Sequence, residues 1–91
     1  MRFVWDERKR KSNLRKHGFD FRDASALFRD GFLFTEDTRK DYGEARYIGL
    51  NELPGENVVV AVVFTSPDEG TVRVISMRAA DDLECEVYYG Q

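Results

Sequence analysis

The run from Val58 to Phe64 is seven consecutive apolar residues, and it constrains the fold more than any other segment. It is far shorter than the roughly 20 apolar residues that a membrane-spanning helix needs. Pro54 and Gly55 precede it, and Ser66 and Pro67 follow it, so turn-forming residues bound it on both sides. A short apolar run between turns is typical of a strand that is buried on both faces. We therefore predict a central strand over Val58–Thr65.

The rest of the chain supplies elements that can surround such a strand. With 91 residues, we expect a single domain over residues 1–91. Its 42% of hydrophobic residues is ample for a packed core and argues against disorder of the whole chain.

Two helices are predicted near the N-terminus, after a short strand over Arg2–Trp5. Asp6 is a suitable N-cap for a first helix, which ends at about His17 before Gly18. Asp20 is a suitable cap for a second helix that closes at Gly31. Its apolar stripe has the spacing of an amphipathic helix and consists of Phe21, Ala24, Leu27 and Phe28.

Strand patterns dominate the remainder of the chain. Four strands are predicted, over Phe32–Thr35, Glu44–Leu50, Val58–Thr65 and Thr71–Arg78, and a short helix follows from Asp81 to Tyr89. This order predicts an α+β fold, with two N-terminal helices packed on a four-stranded antiparallel sheet and a short C-terminal helix.

Charge is distributed unevenly along the chain. Six of the nine residues from Arg8 to Lys16 are Lys or Arg, although the formal net charge of the protein is −3. A net-acidic protein is not a general nucleic-acid binder, but a local basic face can still attract phosphate. The basic helix is therefore either a phosphate-facing surface or an ordinary solvated helix face, and the pattern alone leaves both open.

Several kinds of site are excluded by residue counts and missing motifs. A single His and a single Cys cannot supply a zinc site, and no calcium loop, phosphate-binding loop, dinucleotide fingerprint or serine-nucleophile elbow is present. We predict no metal and no cofactor. The lone Cys85 excludes an internal disulfide, which fits a reducing cytoplasm, and we expect no secretory signal.

Three arginines in otherwise apolar strands are the remaining candidates for chemistry. Arg46, Arg73 and Arg78 are of the residue type that best binds phosphate through two parallel hydrogen bonds. Strand alternation places Arg73 and Arg78 on opposite faces unless a bulge intervenes, and of the two we favour Arg78 for the site. The simpler alternative is that each arginine lies on an exposed strand face or at a strand end.

These arginines fit a metal-free site for RNA cleavage. Such a reaction needs a base for the 2′-hydroxyl proton, cations for the phosphorane charge and an acid for the leaving 5′-oxygen. His17 or Glu44 is a candidate base or acid, and Tyr88 is a candidate proton donor or base-stacking residue. Each also has a simpler explanation: His17 as a helix C-terminal residue, Glu44 as the ion-pair partner of Arg46, and Tyr88 as half-buried packing.

Four motifs along the chain together resemble the BrnT family of toxin proteins. They are Trp5-Asp6-Glu7 with Lys9, Asn13, Lys16-His17-Gly18 and Phe21; Gly43-Glu44 with Arg46; Arg73 with Ile75-Ser76 and Arg78; and Glu84 with Tyr88. The resemblance implies a RelE-like fold and a ribonuclease toxin of a type II toxin–antitoxin pair. For this function we predict His17, Glu44, Arg46, Arg78 and Tyr88 as catalytic residues, and Lys9, Arg10, Lys16 and Arg73 as RNA-binding residues.

The resemblance also implies partners. These are an RNA substrate and a ribbon-helix-helix (BrnA-like) antitoxin, which neutralises the toxin and represses the shared operon. Contact with DNA is then only indirect, through the antitoxin, and no membrane is involved. The basic helix would face RNA or an acidic segment of the antitoxin.

The C-terminal helix departs from this family pattern. Members usually carry Lys and Arg through it, whereas here the segment 81–86 contains four carboxylates, and Met77 stands where Ala is usual. Carboxylates beside a phosphate site repel RNA. The alternative function is therefore a catalytically weak antitoxin-binding partner that acts mainly in operon autoregulation.

Overall fold

The computed structural model describes all 91 residues and has an α+β architecture, as predicted. Its elements are β1 (Arg2–Trp5), α1 (Glu7–His17), a 3₁₀ helix (Phe21–Leu27), β2 (Leu33–Glu36), β3 (Tyr47–Leu53), β4 (Val58–Thr65), β5 (Thr71–Ala79) and α2 (Asp82–Tyr89). None of the helices is both long enough and apolar enough to cross a membrane.

The sheet has five strands in the order β1-β5-β4-β3-β2, so the prediction of four antiparallel strands is wrong in one respect. Strands β2 to β5 are antiparallel neighbours, but β1 pairs in parallel with β5, from Arg2 opposite Thr71 to Trp5 opposite Val74. The predicted strand over Arg2–Trp5 is present. Its partner lies about seventy residues further along the chain, and strand alternation does not reveal which strands pair.

The central strand is buried on both faces, as predicted. Val60 and Val62 pack in the main core with the 3₁₀ helix, whereas Val59 and Ala61 lie in a smaller cluster beneath α2. The bounds of β3 differ most from the prediction, since it covers Tyr47–Leu53 instead of Glu44–Leu50, whereas β2 and β5 differ by one residue at an end. Glu44 therefore lies in the loop before β3.

The second predicted helix is a 3₁₀ helix and ends at Leu27, before Gly31. Asp20 caps it as expected, because its carboxylate accepts the backbone N–H of Arg22 at 2.9 Å. A 3₁₀ helix has three residues per turn, so residues spaced by three share one face. Its fully buried stripe has that spacing and consists of Phe21, Ala24 and Leu27.

Helix α1 is anchored to the sheet by a polar side chain. Asn13 is its only buried residue, and it lies beside β5 where β1 has ended. The Asn13 side chain donates to Met77 O at 2.8 Å and to Phe19 O at 3.1 Å, and it accepts the Met77 N–H at 3.2 Å. It thus provides the donor and acceptor that a neighbouring strand residue would provide, which explains how so polar a helix is held in place.

Candidate active site

A β-bulge in β5 brings two of the predicted arginines to the same face of the sheet. Ser76 pairs with Val63 and Val74 pairs with Phe64, so Ile75 is an extra residue without a partner in β4. Arg73 consequently pairs with Thr65 and Arg78 with Ala61, four residues apart on β4. Positions an even number apart on a strand share a face. The alternation that predicted opposite faces for Arg73 and Arg78 is therefore overturned by the bulge.

Arg46 belongs to this same face. It immediately precedes Tyr47, which pairs with Phe64, so its side chain projects on the side that carries Thr65. The Tyr42 ring stacks on it, with the guanidinium carbon 4.2 Å from the ring centroid. Both Arg46 Nε and Thr65 Oγ1 are buried without a hydrogen-bond partner. Buried polar atoms without a partner are unusual in a folded protein, so this part of the face has hydrogen-bonding capacity that the protein itself does not use.

The loop between β2 and β3 is held by one buried carboxylate that the sequence did not point to. Asp37 accepts hydrogen bonds from Arg39 Nε at 2.8 Å, Arg39 Nη2 at 2.9 Å and the Tyr42 hydroxyl at 3.0 Å. These bonds, above all those from Arg39, hold the pKa of Asp37 well below its usual range. Asp37 thus fixes the ring of Tyr42 that stacks on Arg46. The only signal in the sequence was a tyrosine within an otherwise charged connection.

The low pKa of Asp37 predicts acid-sensitive stability. The pKa of an Asp in an unfolded chain is about 3.9. Asp37 therefore contributes its full stabilisation above about pH 5. As the pH falls further, the unfolded state takes up the proton first and the contribution is lost. We expect Asp37→Asn to lower the free energy of unfolding at pH 7. We also expect it to reduce the difference in stability between pH 7 and pH 3, measured by urea unfolding.

Asp68→Asn is the matched control for this experiment. Asp68 is exposed in the loop between β4 and β5, and the variant should follow the parent at both pH values. If Asp37→Asn shows the same loss of stability from pH 7 to pH 3 as the parent, Asp37 is not the source of the acid sensitivity.

Glu44 lies at the same site but pairs with a different arginine from the one expected. Arg73 Nη2 donates to both carboxylate oxygens of Glu44, at 2.8 Å each. The alternative of a Glu44–Arg46 ion pair is therefore wrong. Both side chains of the Glu44–Arg73 pair are about 40% exposed (41% and 39%), so a ligand can reach them from solvent.

Arg78 is paired with the first turn of α2. Its Nη1 and Nη2 donate to the two oxygens of Glu84 at 2.7 and 3.0 Å, and the hydrogen bonds raise the pKa of Arg78 and lower that of Glu84. Glu84 also closes a capping box with Asp81. Arg73 and Arg78 are thus both ion-paired with carboxylates in the free protein.

The other predicted site residues make no hydrogen bond to Arg46, Arg73 or Arg78. The Tyr88 hydroxyl donates to Asn51 Oδ1 at 2.7 Å, so the half-buried packing weighed for this residue is observed. Arg10 is 12% exposed and is paired with Glu7 and Asp20, which gives it a structural role. His17, Lys9 and Lys16 are exposed on α1 and remain predictions as site residues.

The arrangement on this face is suited to binding a phosphodiester. Its three arginines, Arg46, Arg73 and Arg78, carry planar forks of donors that suit phosphate oxygens. Glu44 adds an accessible carboxylate. No group of three or more His, Cys, Asp or Glu side chains is placed to hold a metal ion.

Comparisons with known proteins define the class. Residues 5–84 match the family model described as ribonuclease toxin, BrnT, of type II toxin-antitoxin system. A search of curated proteins found no match. Among solved structures, the crystal structure of the Brucella abortus ribonuclease toxin, BrnT, is 32% identical with a TM-score of 0.70, covering 90% of this chain and 99% of that chain. The class is thus that of ribonuclease toxins from type II toxin–antitoxin systems. Within it, the chain belongs to the BrnT family, which confirms the resemblance carried by the four sequence motifs.

Proposed function

We propose that this protein is a metal-independent endoribonuclease toxin that inhibits translation by cleaving RNA in the cytoplasm. We further propose that a ribbon-helix-helix antitoxin neutralises it. The observation that carries the proposal is the meeting of Arg46, Arg73 and Arg78 on one sheet face, beside Glu44. Family membership supports the ribonuclease class, and these side chains supply a chemical route.

In this route the RNA 2′-oxygen attacks the adjacent phosphorus, and the bond from phosphorus to the 5′-oxygen breaks. The 2′-hydroxyl proton passes to a base, for which Glu44 is the best-placed carboxylate. The arginines stabilise the negative charge that builds up on the phosphorane oxygens. An acid then protonates the leaving 5′-oxygen, and we assign this role to His17, an exposed residue at the end of α1.

The substrate has to compete with the carboxylates already bound to the arginines. A phosphodiester that enters the site replaces Glu44 at Arg73 and Glu84 at Arg78. Release of Glu44 from Arg73 also frees the carboxylate to accept a proton. The Glu84–Arg78 pair favours the second candidate function, a catalytically weak antitoxin-binding partner that acts in operon autoregulation. Its two hydrogen bonds keep Arg78 from binding a phosphate.

The test is cleavage of a single-stranded RNA by the purified free protein in excess EDTA. We expect cleavage that leaves a 2′,3′-cyclic phosphate and a 5′-hydroxyl, since the 2′-oxygen is the nucleophile. Translating ribosomes with a bound messenger RNA provide a second arm. If the folded protein cleaves RNA in neither arm, the ribonuclease proposal is wrong and the autoregulatory function is favoured. Cleavage only after metal addition would contradict metal independence.

A further inference from the structure

Helix α2 and the adjacent strands form an apolar groove that is open to solvent. Leu83 and Val87, one turn apart on α2, are 70% and 58% exposed. The groove beside them, toward β2 and β3, has a volume of about 310 Å³. The sheet residues that line it with side chains on the α2 side are Leu33, Ile48 and Leu50, and Glu84 lines it from the helix. Isolated apolar residues on a surface are normal, but a contiguous group around a groove indicates a binding site.

The charge of α2 restricts what can bind there. Helix α2 carries acidic residues at Asp82, Glu84 and Glu86, and its last turn has no basic residue. Asp82 and Glu86 directly precede Leu83 and Val87, so they form the next row of side chains around the helix, about 100° from the apolar stripe. An RNA strand is repelled by these carboxylates, and so is the same helix of a second copy. The complementary occupant carries apolar side chains flanked by Lys or Arg.

We propose that this groove docks a segment of the antitoxin that is apolar and basic. The inference rests on the proposed function to the extent that an antitoxin is the partner. Its apolar side chains would cover Leu83, Val87 and Leu33, and its cations would pair with Asp82 and Glu86. The acidic residues of α2 then set which antitoxin is accepted.

The position of the groove explains how such docking regulates the candidate active site. Glu84 lines the groove and also binds Arg78 through both of its oxygens. A segment seated in the groove therefore lies against the Arg78 end of the arginine-bearing face. It would hold Glu84 on Arg78 and hinder the entry of RNA from that side.

The test is the affinity of the full chain for the antitoxin encoded with it, measured by calorimetry. We expect the double variant Leu83→Ala/Val87→Ala to weaken binding about 100-fold, because each anchor side chain in an interface is worth about tenfold or more. Leu14→Ala is the control, since Leu14 is an exposed leucine on α1 and should not affect affinity. Asp82→Lys/Glu86→Lys should also weaken binding and make it less dependent on salt.

Several outcomes would overturn the inference. Unchanged affinity in the folded Leu83→Ala/Val87→Ala variant would place the antitoxin elsewhere, and loss in Leu14→Ala would point to α1. A parent protein that is dimeric and becomes monomeric in the double variant would assign the groove to self-association. RNA cleavage by the free parent, assayed separately, distinguishes failure of the ribonuclease proposal from failure of docking. If the parent chain binds no antitoxin at all, both the docking inference and the proposed pairing are wrong.

Discussion

Replacing Arg46 with Ala should lower the rate of RNA cleavage by about 100-fold or more, because removing one preorganised donor of an oxyanion site typically costs that much. The fold should tolerate the change. The Arg46 Nε makes no hydrogen bond in the free protein, and the loss is limited to stacking on Tyr42. We expect the effect mainly on kcat, since the guanidinium is needed most when charge builds up on phosphorus.

Two further variants test whether the effect is specific to the guanidinium of Arg46. Arg46→Lys keeps the positive charge but not the planar fork, so it should recover only part of the lost activity. Arg2→Ala removes an exposed arginine on β1 and should retain the parent rate. The assignment of Arg46 to the site fails if folded Arg46→Ala cleaves RNA within about threefold of the parent, a difference of less than about 1 kcal/mol in the activation barrier.

Replacing Asn13 with Ala should lower the free energy of unfolding by about 2–4 kcal/mol. The change leaves the buried N–H and C=O of Met77 without their partner, and each unsatisfied buried group costs about 1–3 kcal/mol. It also detaches α1 from β5, because Asn13 is the only buried residue of that helix. Guanidinium chloride unfolding, followed by far-UV circular dichroism, measures the loss.

The neighbouring position gives a control for helix propensity. Ser12→Ala is an exposed change on the same helix and should be neutral or slightly stabilising, since Ala is the better helix former. Asn13→Asp keeps an acceptor for the Met77 N–H but loses both donors, and should be destabilised as well. A loss below about 1 kcal/mol in Asn13→Ala would mean that water replaces the amide at the strand edge. Because Met77 directly precedes Arg78, the variant should also reduce RNA cleavage.

Candidate residues could be selected from the sequence, but most of their partners could not. Arg46, Arg73 and Glu44 stood out because charged residues lay within or beside apolar strands, and the structure places all three on one face. The pairing of Glu44 with Arg73 spans 29 residues of chain. Such a contact depends on how the loop before β3 folds over the sheet, and no local pattern encodes it.

The sequence by itself determined the features that depend on neighbours along the chain. These include the caps at Asp6 and Asp20, the left-handed turn at Gly18, the central strand β4 and the motifs of the BrnT family. Capping and strand alternation involve residues within a few positions of one another, so local chemistry suffices to predict them.

Only the tertiary structure decided where β1 pairs, where β5 bulges and which carboxylates the arginines hold. Ile75 is an ordinary strand residue in sequence, yet as the unpaired residue of the bulge it moves Arg78 to the face of Arg73. The 3₁₀ form of the second helix places Phe21, Ala24 and Leu27 on one face, and all three are buried in the core. These choices minimise the free energy of contacts between residues far apart in sequence, and they become defined only when the whole chain has packed.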